Sequence, residues 1–354
     1  MKILVTGAAG FIGNAVCKRL LEQGKTVVGT DNINSYYDPE LKFARLSRLG
    51  INKKDVDWNE YAVSDIYPEF QFIRTNLQDT EEIGRIFEEC KPEIVIHLGA
   101  QAGVRYSIDH PHSYVESNLV GFLNILEGCR THKVKHLLYA SSSSVYGLNG
   151  KTPYSEHDGT NHPVSLYAAT KKSNELMAHA YAKLYDIPVT GLRFFTVYGP
   201  WGRPDMSPFL FIDAIENGRP IKVFNNGDML RDFTYIDDIV EGIVRIADII
   251  PRGNPEWDAE NPDPASSVAP YRVYNIGNQS PIKLLNYIEC IERATGRKAD
   301  RQMLPMQPGD VYQTYADSSE LGQATGFTPE TRLEDGIRKT VEWYEDYFNI
   351  RNDK

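Results

Sequence analysis

The stretch Thr6-Gly7-Ala8-Ala9-Gly10-Phe11-Ile12-Gly13 decides the fold of this chain. It joins an apolar run, Lys2 to Thr6, to a segment with helical periodicity, Gly13 to Gln23. Glycines at this spacing allow a tight turn, the close approach of a pyrophosphate and close packing of helix on strand. The helix N-terminus then faces the anion. A bare turn is the alternative, but the position at the first strand–helix junction favours a dinucleotide-binding loop.

The first half of the chain repeats this alternation of strand and helix. Further strands are predicted at Thr26 to Thr30, Gln71 to Arg74, Ile94 to Leu98, His136 to Ala140 and Val189 to Arg193. Strands separated by helical patterns indicate a doubly wound α/β fold with a parallel sheet. The polar and aromatic segment from Asn32 to Ile66, with a helical pattern from Leu41 to Leu49, predicts an insertion after the second strand.

The second half of the chain has a different texture, with prolines and glycines between short segments. The stretch from Pro251 to Pro270 contains five prolines and predicts a surface loop, and the last helix is predicted at Leu333 to Phe348. We therefore expect a cofactor-binding domain at residues 1–199 and a smaller α/β substrate-binding lobe at residues 200–354. Segments near 232–250 and 272–278 are expected to return to the first domain.

Composition narrows the class of protein. The 354 residues carry a net charge of -10, and because a nucleic-acid-binding protein usually shows a basic patch, we expect no nucleic-acid partner. No apolar run reaches the ~18 residues of a membrane span. The chain enters a strand at Lys2, so we expect no membrane association, no signal peptide and a cytoplasmic location. The four cysteines form no CxxC pair, which predicts reduced thiols and no metal site.

Asp31 stands about 20 residues after the glycine loop, at the end of the second predicted strand. A carboxylate at this place accepts a hydrogen bond from a ribose 2′-hydroxyl and repels a 2′-phosphate. Neither neighbour, Thr30 or Asn32, is basic. We therefore expect NAD rather than NADP as the cofactor. A loop aspartate that caps a turn is the alternative.

A serine run and a Tyr-x-x-x-Lys motif carry the predicted chemistry. Ser141 to Ser144 follow a predicted strand, and Tyr167 and Lys171 share one face of a helical pattern. The ordinary pKa of tyrosine is about 10, and a nearby ammonium and the positive nicotinamide ring lower it. Such a base, with a serine hydroxyl sharing the proton, is suited to deprotonating a sugar hydroxyl. By itself the motif arises by chance in a chain with 21 tyrosines, and the glycine loop makes it specific.

Together these motifs resemble the extended short-chain dehydrogenase/reductase family over essentially the whole chain. Further matching strings are His97 to Ala100, Asn118, Ser141 to Gly147, Arg231 to Phe233 and Asp237-Asp238. Within that family the chain is similar to the UDP-glucuronate 4-epimerases. Four strings carry this similarity: Asp31 to Asp38, Ala102 to Ser107, Tyr198 to Met206 and Met306 to Val311. The resemblance implies a doubly wound parallel-sheet Rossmann domain with a smaller α/β substrate-binding lobe.

The resemblance also implies roles for matching residues on the cofactor side. Tyr167 is the base, Lys171 is its electrostatic partner and a ribose ligand, and Ser142 is the hydroxyl third member. Asn76 departs from the aspartate usual at its place, although its amide oxygen can still accept from the adenine amino group. The implied cofactor-binding residues are Gly7, Gly10, Phe11, Ile12, Gly13, Asp31, Asn32, Asn76, Leu77, Leu98, Gly99, Ala100, Gln101, Asn118, Tyr167, Lys171 and Phe194.

On the substrate side, an acidic protein that binds an anion must concentrate its arginines. A guanidinium fork suits a diphosphate, and by family position this role falls to Arg203 and Arg231. A solvated surface arginine is the alternative for each. The residues implied to bind a UDP-sugar are Arg105, Ser142, Ser143, Thr196, Arg203, Lys222, Val223, Phe224, Arg231, Gln307 and Asp310.

The implied reaction is reversible C4 epimerisation of UDP-glucuronate to UDP-galacturonate through a transient 4-keto sugar, with tightly bound NAD. A ketone β to a carboxylate loses CO₂ when the breaking bond aligns with the carbonyl π system. An epimerase must therefore hold the carboxylate out of that alignment. Neutral hydroxyl donors, here Thr196 with Ser142 and Ser143, could do so.

The same residues are also compatible with other functions. A UDP-glucuronate decarboxylase and a UDP-glucose 4-epimerase share the scaffold, whereas a sugar 4,6-dehydratase would show an acidic pair where Ser143 and Ser144 stand. A non-catalytic NAD-sensing protein is the alternative of another class, although such proteins usually lose the tyrosine or the lysine. The resemblance further implies a homodimer through helices near Ser113 to Cys129 and Tyr167 to Leu184. The alternative is that the apolar faces of these helices pack in the core of a single copy.

Overall fold

The structure is a computed structural model that describes residues 1–306 and 312–350. Its strands are β1 (Lys2–Thr6), β2 (Thr26–Asp31), β3 (Tyr61–Val63), β4 (Phe70–Arg74), β5 (Ile94–His97), β6 (His136–Ser142), β7 (Val189–Phe194), β8 (Thr196–Tyr198), β9 (Ile221–Val223), β10 (Leu230–Tyr235), β11 (Tyr271–Ile276), β12 (Pro281–Lys283) and β13 (Arg301–Met303). Its α-helices are α1 (Phe11–Glu22), α2 (Pro39–Ser47), α3 (Thr80–Cys90), α4 (Tyr106–Asp109), α5 (Pro111–Tyr114), α6 (Gly121–His132), α7 (Leu166–Tyr185), α8 (Ser207–Glu216), α9 (Ile236–Ala247), α10 (Leu284–Thr295), α11 (Ser319–Thr325) and α12 (Leu333–Tyr347).

The largest sheet has eight strands in the order β11-β7-β6-β5-β1-β2-β4-β3. Every pairing in it is parallel except that of β3 with β4. The chain winds in one direction from β1 through β2 to β4, and in the other from β5 onward. The sheet therefore confirms the predicted doubly wound α/β fold, and its strand order reverses between β1 and β5, where such folds bind ligands.

Two apolar clusters cover the two faces of this sheet. Ile3 and Val5 of β1 belong to one cluster, with apolar residues of α1 and α9. Leu4, between them, belongs to the other cluster, with residues of α3, α6 and α7. Successive side chains of a strand point to opposite faces, so burial of all three explains why β1 reads as a continuous apolar run.

The predicted insertion folds as α2, a 3₁₀ turn at Lys53–Asp55 and the edge strand β3. Its helix begins at Pro39 rather than Leu41, because the Asp38 carboxylate accepts a hydrogen bond from the Glu40 amide at 3.0 Å and proline suits the first helical position. Helix α1 likewise begins at Phe11 rather than Gly13, since Gly10 is its N-cap.

Two later segments lie against elements of the first half of the chain. Strand β11 pairs with β7 at the edge of the large sheet, and α9 packs on α1. Two smaller sheets, β12-β10-β8 and β13-β9, are built from strands that follow β7 in the chain. The division at residue 199 stays a prediction. Within the described ranges, no helix combines the length and the apolar character needed to span a membrane.

Candidate active site

The turn between β1 and α1 is shaped by its glycines. Gly7 has φ of +75°, and its amide donates to the Thr30 carbonyl of β2 at 2.7 Å. A Cβ on Gly13 would lie 2.1 Å from the Gly7 carbonyl oxygen, and one on Gly10 would lie 2.9 Å from it. Gly10, the N-cap of α1, has no side chain that could cap the amides at the start of this helix. These N–H groups have no partner within the helix and are suited to an anion.

A cavity of about 910 Å³ opens beside this turn, at the carboxyl ends of the central strands. Most of the predicted cofactor residues line it: Gly7, Gly10, Phe11, Ile12, Gly13, Asp31, Asn32, Leu77, Leu98, Gly99, Ala100, Gln101, Tyr167, Lys171 and Phe194. Asn76 is not one of the lining residues, and its Oδ1 accepts from Asn32 Nδ2 at 3.1 Å. The oxygen that was expected to meet adenine therefore has a protein partner.

Asp31 has a cationic neighbour that the sequence did not reveal. Lys42 Nζ lies 3.8 Å from Asp31 Oδ1 and donates to Asn34 Oδ1 at 2.8 Å. Both side chains are about nine-tenths buried or more, with 7% and 10% exposure for lysine and aspartate. A ribose hydroxyl both donates and accepts, so a carboxylate beside an ammonium is chemically suited to it. Lys42 comes from the insertion helix, where nothing in the local spacing marks a ligand contact.

Tyr167 and Lys171 lie one turn apart on α7. The N-cap of this helix is Ser165, whose hydroxyl accepts from the Ala168 amide at 3.1 Å. Burial raises the pKa of Tyr167, while a hydrogen bond with Ser142 and the charge of Arg203 oppose the rise. The structure thus brings the predicted Ser142–Tyr167 pair together and adds Arg203 to it.

Lys171 is 2% exposed, and burial lowers its pKa to about 8. Its ammonium donates to the Ala140 carbonyl of β6 at 2.9 Å. The electrostatic effect of Lys171 on the tyrosine stays a prediction, and the charge of Arg203 also favours the Tyr167 phenolate.

Asn118 positions α7 relative to the cofactor wall. It lies in a π-helical turn, Val115–Val120, between α5 and α6. Its Oδ1 accepts from the Gln101 amide at 2.8 Å, and its Nδ2 donates to the Gln101 carbonyl at 3.0 Å and to Thr170 Oγ1 at 3.1 Å. The side-chain amide of Asn118 therefore links the loop after β5 to the helix that carries Tyr167.

A buried ion pair fixes the strands behind the serine run. Arg193 of β7 donates to both carboxylate oxygens of Glu175, at 2.9 and 3.0 Å, and Ser141 donates to the same carboxylate. Burial alone would raise the pKa of Glu175, but the charge and hydrogen bonds of Arg193, the charge of Lys172 and the Ser141 hydrogen bond together outweigh it, and the pKa falls to about 2. Sequence reasoning missed this pair, because an arginine within an apolar strand carries no signal for its partner.

The substrate-side predictions converge on the other half of the same cavity. Its wall includes Arg105, Ser142, Ser143, Thr196, Arg203, Lys222, Phe224 and Arg231. The Val223 side chain is an exception, since it is fully buried in the core rather than facing the cavity. Gln307 and Asp310 lie outside the described residues.

The arginines of this half are held by protein partners. Arg203 Nε donates to Asp205 Oδ1 at 3.0 Å, and the Tyr36 hydroxyl donates to the other oxygen of that carboxylate, also at 3.0 Å. Arg231 Nη1 donates to the carbonyls of Leu230 and Tyr312. Tyr36 and Asp205 were not predicted as site residues, although both lie in strings that carry the family resemblance.

A dinucleotide loop and a Ser-Tyr-Lys set at one edge of a doubly wound sheet define the class of NAD-dependent enzymes that act on a hydroxyl-bearing carbon. Residues 3–277 match the model of the NAD dependent epimerase/dehydratase family, and the chain belongs to that family. Its cofactor is NAD. The residues present fit this dinucleotide, because the phosphate turn leaves no room for a Cβ and Asp31 and Lys42 stand where the ribose is expected.

Similar proteins support this assignment over nearly the full length. A probable UDP-glucuronate 4-epimerase of Rhizobium meliloti is 48% identical over 346 residues, which are 98% of this chain and 97% of that protein. The crystal structure of a UDP-glucuronic acid 4-epimerase from Bacillus cereus, in complex with UDP-glucuronic acid and NAD, aligns with a TM-score of 0.83 and 32% identity, covering 98% and 100% of the two chains. A UDP-glucose 4-epimerase from Thermotoga maritima, solved with UDP-glucose, aligns with a TM-score of 0.81 and 28% identity, covering 98% and 100%.

Proposed function

We propose that this enzyme interconverts UDP-glucuronate and UDP-galacturonate by epimerisation at C4. The observation that carries the proposal is the position of Tyr167 in the cavity. It shares one cavity with the phosphate turn and Asp31 on one side and with Thr196, Arg203 and Arg231 on the other. A base between a dinucleotide subsite and a cationic subsite can act on a sugar that is tethered by its diphosphate.

In the proposed cycle the protein moves one proton and positions the sugar. The Tyr167 phenolate takes the proton of the sugar 4-hydroxyl, and Ser142 donates a hydrogen bond to the same oxygen as it becomes a carbonyl. NAD, when bound, accepts the hydride from C4 and returns it. The keto sugar turns about its diphosphate linkage and presents its other face. Tyr167 then returns the proton to O4, so no net oxidation occurs and the cofactor need not leave.

The sugar carboxylate needs restraint during this cycle. The 4-keto sugar is a β-keto acid, because its ketone at C4 is β to the carboxylate at C6. It loses CO₂ when its C5–C6 bond aligns with the carbonyl π system. Thr196 and Ser143, both on the cavity wall, are proposed to hold the carboxylate out of that alignment by donating neutral hydrogen bonds.

Replacement of Thr196 tests this role. Thr196→Ala should raise UDP-pentose formation or weaken UDP-glucuronate binding, while Thr196→Ser, which keeps the hydroxyl, should do neither. Identical product ratios and affinities in all three proteins would remove Thr196 from the mechanism.

One incubation separates the candidate functions. Purified protein, without added NAD, is mixed with UDP-glucuronate and the sugar is followed by NMR. UDP-galacturonate is the expected product. UDP-xylose would instead identify a decarboxylase. An unchanged sugar, with turnover of UDP-glucose in a parallel sample, would identify a UDP-glucose 4-epimerase, and no turnover of either would favour an NAD-sensing protein.

We also propose that the enzyme is a cytoplasmic homodimer. Leu123 of α6 and Leu176 and Leu184 of α7 are 40%, 60% and 70% exposed, on the two helices predicted to form the interface. Apolar side chains of this size on neighbouring helices are suited to burial against a second copy. Light scattering on the purified protein measures the mass directly, and a monomer at micromolar concentration would contradict the dimer.

A further inference from the structure

Arg45 of the insertion helix α2 is fully buried and bonded on every nitrogen of its guanidinium. Nε and Nη2 donate to the Trp201 carbonyl at 3.0 and 2.7 Å, and Nη2 also donates to the Gly202 carbonyl at 3.1 Å. Nη1 donates to the Ala9 carbonyl at 3.2 Å and to the Tyr37 hydroxyl at 2.7 Å. Five such bonds hold the planar fork in one orientation.

These bonds join two loops that belong to the two halves of the cavity. Ala9 directly precedes Gly10, the N-cap of the helix whose first amides face the phosphate subsite. Trp201 and Gly202 directly precede Arg203, the cation beside Tyr167. One rigid side chain therefore fixes the distance between the cofactor turn and the backbone that carries Arg203.

The turn at Trp201 depends on such support. Trp201 has φ of +66°, a left-handed conformation that is strained for a residue other than glycine. Its carbonyl accepts two of the five Arg45 bonds. Loss of these bonds would let the turn relax and would displace the residue that follows Gly202.

Arg45 carries its charge close to the phosphate turn, since its Nη1 donates to the Ala9 carbonyl at 3.2 Å. Among the described residues, Arg45 has no carboxylate within ion-pair distance, and the neighbouring Arg48 has the same sign. A buried cation without a counter-charge is costly. An anion bound at the amides of the α1 N-terminus would lie next to the Ala9 backbone and would reduce that cost. Anion binding and the placement of Arg45 should therefore favour each other.

We propose that Arg45 is a positioning residue that couples occupancy of the NAD site to the placement of Arg203, and hence to affinity for the sugar nucleotide. The proposal rests on the proposed function for its ligand. Coupling between two sites appears as a ratio of affinities and is reciprocal. Here the ratio is the dissociation constant of UDP-glucuronate for NAD-stripped protein divided by that for NAD-loaded protein.

The test measures this ratio by calorimetry in a Tyr167→Phe background, so that bound sugar is not converted. The variant is Arg45→Met, which keeps most of the volume and removes the bonds. The matched control is Arg48→Met. The Arg48 guanidinium lies over the Trp201 ring, 4.8 Å from its centroid, and donates to Asn14 Oδ1, but among the described residues it makes no hydrogen bond to the backbone of either loop. Thermal melts check folding, and Arg45→Lys replaces Arg45→Met if the latter does not fold.

The ratio should fall at least about threefold in the Arg45 variant and stay within that margin in Arg48→Met. A smaller fall in the Arg45 variant, or an equal fall in both variants, would overturn the coupling role and leave Arg45 a purely structural residue. If the Tyr167→Phe parent binds NAD but not UDP-glucuronate, the proposed function fails instead, so the two failures are distinguishable.

Discussion

On the cofactor side of the cavity the wall is backbone from the loops that follow β1 and β5, whereas on the sugar side it is long side chains from distant segments. Gly7 and Gly99 approach so closely that a Cβ on Gly7 would lie 2.8 Å from the Gly99 amide. Tyr36, Arg105 and Arg231, in contrast, come from three parts of the chain and all line the cavity. We therefore expect NAD binding to be weakened by substitutions that add atoms to the glycine turn. We expect sugar-nucleotide binding to be weakened by substitutions that shorten the side chains on the sugar side.

The largest effect is expected at Tyr167, where the two sides meet. Tyr167→Phe removes the proton acceptor and should lower kcat about 10³-fold, with NAD content unchanged. The measurement is the rate of UDP-galacturonate formation, with protein-bound NAD released by denaturation and quantified. Turnover close to that of the unmodified protein would mean that another group is the base.

One added methyl group tests the cofactor side. In Gly13→Ala the new Cβ would lie 2.1 Å from the Gly7 carbonyl oxygen, so the turn must move. We expect bound NAD to fall at least about tenfold, as for overpacking that costs 1–3 kcal/mol. Gly84→Ala is the control, because a Cβ on this exposed helical glycine meets nothing within 4 Å. Gly84→Ala should keep its NAD and gain up to about 1 kcal/mol in stability; full NAD content in Gly13→Ala would contradict the comparison.

Replacement of Arg231 tests how the sugar side binds the substrate. Arg231→Met should raise KM for UDP-glucuronate about tenfold to a hundredfold, since a charged hydrogen bond contributes about 1.5–3 kcal/mol. Bound NAD should not change, because Arg231 lies on the wall opposite the glycine turn. Arg231→Lys separates charge from fork geometry and should recover part of the loss. Loss of NAD in Arg231→Met would show that the two sides are not independent.

The smallest effect concerns Glu156, a 1% exposed carboxyl behind the sugar side. Burial raises its pKa to about 7, while the Asn275 amide, which donates to Oε1 at 2.7 Å, opposes the rise. The folded state therefore holds the proton more tightly than the unfolded state. Its stabilising contribution is complete below about pH 4 and is lost as the pH rises through about 7.

Denaturant unfolding at two pH values measures this loss. Between about pH 6 and pH 8 the unfolding free energy should fall by about 1 kcal/mol more in the unmodified protein than in Glu156→Gln, which does not titrate. Glu175 shows the opposite behaviour, because its pKa is lowered and its contribution is lost only in acid. Equal pH dependence in the two proteins would mean that Glu156 is ionised throughout.

The cofactor side was predictable from sequence because its signals are local. The glycine spacing, the place of Asp31 at a strand end and the four-residue step from Tyr167 to Lys171 depend on neighbouring residues alone. The strands of the central sheet were found for the same reason, since a strand that is buried on both faces reads as an apolar run. Several element ends differ from the prediction by one or two residues, and two helix starts differ because Asp38 and Gly10 act as caps.

The sugar side and its supports were less predictable because their signals are tertiary. Arginine and lysine are rarely buried, so Lys42 and Arg45 within the insertion gave no reason to expect contacts with the cofactor wall. The pairing of Arg203 with Asp205 depends on a turn whose shape is set by Arg45 from far away in the chain. Family resemblance supplied the candidate arginines, and only the structure shows what holds them.

The edge strand β11 has a practical consequence for dissection of the enzyme. It pairs with β7 through six residues on each strand, yet it enters the sheet more than seventy residues after β7 has ended. A fragment that stops at residue 199 would leave the β7 edge open, and an open apolar edge is a template for aggregation. Expression of the cofactor half alone should therefore require that residues 271–276 be grafted back beside β7.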